Sequence, residues 1–431
     1  MKPRMLSKAT VIAVMLALAA CTTAKTTTTE TLTFWTQWTG PEFAALGKVL
    51  AKFEASHPGI KVTAVEDQAD AAKFLAAVKT NTAPDAWVTY RTDQLGVFCT
   101  SGALINLGPR IDKAKIDAAI FPPAAKRVLG FEGTRCSLPF AADAFGLYYN
   151  KKLLSDAGYS APPKTIEELT AYAKKLTTYN ADGSIKTLGF MPLMNVYENY
   201  IERFAPCFAA HYFDESGKAN FSRDPGWAEF FTWQRSLVEQ FGFDKLTQFA
   251  AKSGDQYSAA NPFEKGKIAL ALDGEWRTQY IKKEQPGLEY GTAPFPVPAA
   301  ASNLYGVGEV AASIIGIPKG TKHPAQAWEL VKYLATNTDA LVDFMNEIHN
   351  VPTTLPALHS PRLDLGPNFE PFLQTFANPG SYALPILKSG SGSYIDPLTK
   401  FMEQWQAGKI KNLQAALVEV DKQVDALVAQ G

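Results

Sequence analysis

The run Cys136-Ser137-Leu138-Pro139-Phe140-Ala141-Ala142-Asp143-Ala144-Phe145-Gly146-Leu147-Tyr148-Tyr149-Asn150-Lys151-Lys152 limits the folds open to this chain more than any other stretch. It starts like a strand, meets Pro139, passes small residues with one carboxylate at Asp143, and resumes as the apolar strand Phe145 to Tyr149. A chain that leaves one lobe and enters another needs extended segments on both sides of a bendable join. Taken alone, the run is a strand interrupted at a proline. Against the rest of the chain it is expected to be one continuous crossing, answered by return crossings near Tyr305 and Val351, with Asp143 in the cleft between two lobes. Length agrees, since 431 residues exceed the roughly 250–300 at which a single hydrophobic core stops growing.

The flanking pattern sets the fold class. Thr31-Leu32-Thr33-Phe34, Ile60 to Ala64 and Asp85 to Tyr90 read as strands. Between them, Phe43, Leu46, Leu50 and Phe53, then Phe74, Leu75 and Val78, recur at helical spacing. Strands alternating with helices predict an α/β fold with a mostly parallel sheet covered on both faces. Further on, Thr165-Ile166-Glu167-Glu168 has the form of a capping box, and a long helical region is expected around Tyr197, Glu198 and Tyr200. Ile268 to Leu272 reads as a strand followed by the turn Asp273-Gly274-Glu275-Trp276, and Gly306 to Pro318 as a glycine-opened strand. Leu413, Leu417, Val420, Val424 and Leu427 share a helical face.

The N-terminus predicts export. Lys2, Arg4 and Lys8 precede a short apolar run, Val11 to Ala20, and Leu18-Ala19-Ala20-Cys21 fits the lipobox of a bacterial lipoprotein. Residues 1–20 are expected to be a signal peptide and Cys21 an acylated anchor, with ordinary cleavage and an incidental Cys21 as the alternative. Residues 21–30 are Thr-rich and read as a tether. Without the three leader cations the chain has 39 basic and 42 acidic residues, and no basic stripe points to nucleic acid. Three cysteines remain in an exported chain, so one internal disulfide can form. The expected pair is Cys99–Cys136, with Cys207 buried as a small hydrophobe.

Catalytic and cofactor motifs are sparse. Gly306-Val307-Gly308-Glu309 is followed by a strand where a dinucleotide site needs a helix, and the five histidines lack metal-ligand spacing. No cofactor or metal is expected. Instead, aromatic and polar residues recur together at strand ends: Trp35, Gln37 and Trp38; Tyr90 and Asp93; Asp143; and Glu275 with Trp276. Strand C-terminal ends are where α/β sheets hold ligands. Aromatic faces suit the C–H face of a sugar, and carboxylates and amides suit its hydroxyl rim. Trp87 and Trp227, inside a strand and a helix, are expected in the core. A secreted glycoside hydrolase stays open as an alternative, because Asp143 with Glu275 or Glu309 could supply two carboxyls. So does a receptor for a polyol phosphate, for which only Arg91 and Arg277 stand near the candidate positions.

Taken in order, several segments resemble the family 1 extracellular solute-binding proteins of bacterial ABC importers, relatives of maltose-binding protein. They are the lipobox, Leu32-Thr33-Phe34-Trp35, Ala83-Pro84-Asp85, Leu138-Pro139-Phe140 through Gly146-Leu147-Tyr148-Tyr149-Asn150-Lys151, and Pro162 to Leu169. Phe263 to Leu270 with Gly274-Glu275-Trp276, and Ile317-Pro318-Lys319-Gly320 with Ala327-Trp328-Glu329-Leu330, complete the set. Each is loose alone, but their order is specific and spans the mature chain. The resemblance implies two α/β lobes joined by crossing segments, with residues 31–141 and 306–352 in lobe 1 and 142–305 and 353–431 in lobe 2. It also implies a monomeric carbohydrate receptor, membrane-anchored by lipid, that serves a permease without catalysis. The ligand contacts it implies are Trp35 to Trp38, Asp93, Asp143, Trp276 and the Tyr197–Tyr200 region, while Glu309 stands where the family often has polyglycine and is expected to tune ligand choice.

Overall fold

The computed structural model describes residues 29–388 and 394–429. The leader, Cys21 and most of the tether lie outside the described residues. Among the described residues ten strands form one connected sheet: β1 (Glu30–Trp35), β2 (Ile60–Val65), β3 (Ala86–Thr89), β4 (Leu138–Asn150), β5 (Thr178–Tyr179), β6 (Ile185–Phe190), β7 (Ile268–Gly274), β8 (Tyr290–Ala293), β9 (Val310–Gly316) and β10 (Val351–Pro352). Their order is β2-β1-β3-β9-β4-β7-β6-β5, with β8 and β10 also pairing β4. Pairs β1–β2, β1–β3 and β6–β7 are parallel; β9 and β4 run antiparallel to their neighbours.

β4 holds the two-lobed fold together. It is unbroken over 13 residues, and its partners change along it. Leu138 to Ala144 pair with β9, whereas Phe145 to Asn150 pair with β7 and β8. Pro139 does not end the strand. It has no N–H to give the ladder, and the register shifts between Pro139 and Ala141, so the proline is absorbed in a bulge.

Two hydrophobic clusters flank this crossing. One draws mainly on residues 32–148 and 310–376, the other on 145–297 and 394–424. Residues 353–376, expected with the second lobe, pack instead in the first cluster through Ala357, Leu365, Phe369, Phe372 and Phe376. The cause is local. β10 pairs with Ala141 and Ala142, and the Thr354 side chain caps the short helix Leu355–Leu358, which turns the chain back onto that side. Trp87 and Trp227 are buried. Thr165 and Glu168 form both bonds of the capping box that starts the helix Ile166–Leu176. A disulfide joins Cys99 to Cys136, and Cys207 is buried with a free thiol.

The segment around Tyr197 is not helical until Ile201. Asn195 and Tyr197 have left-handed backbone, with φ of 60° and 56°. The Asn199 amide donates to the Met191 carbonyl at 2.6 Å. A side chain that satisfies nearby backbone favours a turn over a helix.

Candidate functional site

A cleft of about 880 Å³ opens where the crossing segments meet. Its floor is polar. Asp143 comes from the middle of β4, Glu309 directly precedes β9, and Asn350 directly precedes β10. The Asn350 Nδ2 donates to Asp143 Oδ1 at 2.5 Å and to Glu275 Oε1 at 2.9 Å. The other Glu275 oxygen accepts from the Ala144 N–H at 2.9 Å. Burial pushes Asp143 up to about 6 and Glu275 well above the usual carboxyl range, and the charge of Asp143 raises Glu275 further.

One wall carries Arg203 on the short helix Ile201–Phe204. Its guanidinium pairs with Glu309, lies 3.6 Å from Glu198 Oε2, and stacks 3.6 Å over the Phe145 ring. Tyr257 donates its hydroxyl to Glu198 at 2.7 Å. Trp276 meets Phe145 edge-on, with centroids 5.4 Å apart. A Cβ on Gly274 would fall 2.3 Å from the Trp276 ring, so the glycine lets the indole lie against the end of β7. Opposite stand Gln37, whose amide donates to Ser313 at 2.9 Å, and Tyr90, which is 55% exposed. Arg91 grips both oxygens of Asp93 at 3.0 Å. Glu42, in the first turn of the helix Gly40–Ser56, also faces the cleft; burial, and then the charge of Asp143, push it up to about 7.

Of the residues singled out from sequence, Gln37, Trp38, Tyr90, Asp93, Asp143, Glu198, Tyr200, Trp276 and Glu309 line this cleft. Three do not. Trp35 is the last residue of β1 and lies under the Lys73 ammonium, 5.5 Å away. Tyr197 lines a smaller cavity with Met191 and Asn199, and Glu275 is fully buried behind Asp143 and Asn350. Trp38 touches the cleft but is only 5% exposed, because its indole packs edge-on against Phe140 and Phe344. Sequence reasoning missed Glu42, Glu202, Arg203, Tyr257, Tyr280 and Asn350. Tyr257 had a signal, as a lone aromatic in the polar stretch Gly254 to Ser258.

Among the described residues no group of side chains could hold a metal, and no helix is long and apolar enough to cross a membrane. A family model described as bacterial extracellular solute-binding protein matches residues 48–371. A maltotriose-binding protein of Pyrococcus abyssi is 23% identical over 88% of this chain and 82% of its own. A maltooligosaccharide ABC transporter solute-binding lipoprotein of Streptococcus pneumoniae is 25% identical over 59% of this chain and 57% of its own. The solved structure of CpMnBP1 with mannotriose bound shares 26% identity, covers 91% of this chain and 99% of that one, and superposes with a TM-score of 0.81.

Proposed function

Because the chain belongs to the bacterial extracellular solute-binding proteins, we propose that it captures a carbohydrate, an oligosaccharide, in the cleft and delivers it to the permease of an ABC transporter. The observation that carries this reading is the lining of the cleft. Tyr90, Tyr200, Tyr257, Tyr280 and Trp276 offer ring faces beside carboxyl and amide groups from the crossing segments. That combination suits a ring with apolar C–H faces and a hydroxyl edge. The volume lies within the roughly 300–1,000 Å³ of small-molecule sites. A ligand that touches both walls only when they approach shifts the population toward the closed form. In this reading residues 31–141 and 306–376 move as one lobe, and 142–305 with the C-terminal helices as the other.

The finer points of the reading are these. Cys21 carries a lipid that holds an exported monomer at the membrane, and no cofactor takes part. Turnover is not expected. Glu275 has both oxygens engaged by Asn350 and the Ala144 N–H, and Glu309 is tied to Arg203, so neither carboxyl that the sequence offers as a hydrolytic partner of Asp143 is free. A phosphate ligand fits poorly, since Arg277 is buried against Asp273 and Glu264 and Arg91 is committed to Asp93. A thermal-shift screen of sugars tests the receptor: saturating ligand at 100 times its Kd adds about 2.7 kcal/mol. Stoichiometric binding without product release is expected, and steady release of shortened sugars would overturn the reading.

A further inference from the structure

The charge on the cleft is lopsided. Seven carboxyl side chains line it against two guanidiniums, with no lysine or histidine. The two guanidiniums are already taken. Arg91 holds Asp93 through both oxygens, and Arg203 is shared between Glu309 and Glu198. Among the described residues Glu42, Asp143, Glu202 and Asp396 face the same space with no direct ion pair, and only the more distant charges of Arg203 and Arg91 reach Asp143, Glu202 and Asp396. Asp143 receives one amide bond from Asn350, while Glu42 accepts no hydrogen bond among the described residues. A neutral sugar needs acceptors for its hydroxyls, but amides serve as well as carboxylates and carry no repulsion. Gathering seven carboxyls around two guanidiniums costs stability wherever they ionise together. A positive charge arriving with the ligand recovers that cost at neutral pH without protonating the carboxyls. Burial is the first cause raising both Glu42 and Asp143, and the Arg203 charge offsets the rise of Asp143 only in part.

We propose that the ligand is a cationic sugar, one bearing a protonated amine, whose ammonium sits among Glu42, Asp143 and Glu202 while its ring packs on Trp276 and the cleft tyrosines. This rests on the receptor reading and names the substrate class within it. Aromatic faces add to the fit, since a cation over an aromatic ring is itself attracted. A flexible polyamine would satisfy the charge but leave the ring faces idle.

Titration calorimetry on the purified protein at pH 7 and low salt tests this with four sets of probes. They are glucosamine with its short oligomers, the N-acetylated compounds of the same length, maltotriose with mannotriose, and spermidine. The amine sugars are expected to bind about tenfold tighter than their N-acetylated partners, which is about 1.4 kcal/mol. That advantage should shrink at high salt and in Glu42→Gln, with Glu202→Gln as a second variant should the first misfold. If N-acetylated or neutral sugars bind as tightly or more tightly, the inference falls and the carbohydrate receptor stands. Preference for spermidine over every sugar overturns both, as does the absence of binding by any sugar.

Discussion

Glu42→Gln should make the ligand-free protein more stable at neutral pH, and the size of the gain follows from linkage. The carboxyl has a pKa of about 7 in the folded chain and 4.5 as its ordinary value, raised first by burial and then by Asp143. A group whose value rises on folding supports the fold fully below its unfolded value and loses that support as pH climbs through the folded one. At pH 7 a shift of this size costs about 3 kcal/mol. Glutamine keeps the shape and cannot ionise, so the variant escapes the loss. For a cooperative unit of roughly 150–250 residues, this corresponds to a rise in Tm of about 6–12 °C. Thermal unfolding of both proteins from pH 4 to 8 checks it. The curves should coincide near pH 4 and separate steadily as pH rises. A gain independent of pH, or a variant less stable at pH 7, would refute the reasoning, because either outcome means Glu42 does not titrate in a strained setting.

Glu275→Ala strips partners from the Ala144 N–H and from the Asn350 amide; an unsatisfied buried group costs about 1–3 kcal/mol, so urea unfolding should shift by at least that much, and Glu275→Gln by clearly less. Reducing or replacing Cys99–Cys136, which closes a separation of 37 residues, should lower stability by about 4 kcal/mol on the chain-entropy model, read as a fall in the unfolding midpoint on adding dithiothreitol. Trp276→Ala should weaken sugar binding by at least about 1 kcal/mol in calorimetry while leaving the unfolding midpoint nearly in place; unchanged affinity would remove Trp276 from the ligand's path.

The parts of this architecture legible in the sequence are those with a local cause. Alternation and helical spacing mark β1 to β3 and the helices Gly40–Ser56 and Ala71–Lys79 between them, and the capping box at Thr165 marks a helix start that the structure has. Trp87 and Trp227 were assigned to the core from their positions inside regular elements, and both are buried. The failures share a different cause. The local pattern around Tyr197 predicts a helix because nothing in it shows that Asn199 donates its amide back to Met191. Glu275 was aimed at the ligand because sequence gives the turn but not its direction; Gly274 lets Trp276 fold against the strand end and sends Glu275 inward. Trp38 stands beside Gln37 in sequence, yet one faces the core and the other reaches Ser313. Glu42, Arg203 and Asn350 were missed outright because they join the site from three distant segments, and no spacing rule connects them.

The cleft shares its floor with the crossing itself. Residues at its floor come from segments that cross between the clusters, β4, the start of β9 and the start of β10, so they are set by the same backbone pairings that connect the lobes. A polar network in such a place is more demanding than an apolar one. Each unmet group is costly, which narrows the arrangements the crossing can adopt. Asn350 is held between Asp143 and Glu275, so a change at either carboxyl bears on the other through one amide. The atoms that line the floor of the cleft are therefore the same atoms that tie β4 to the segment entering β10.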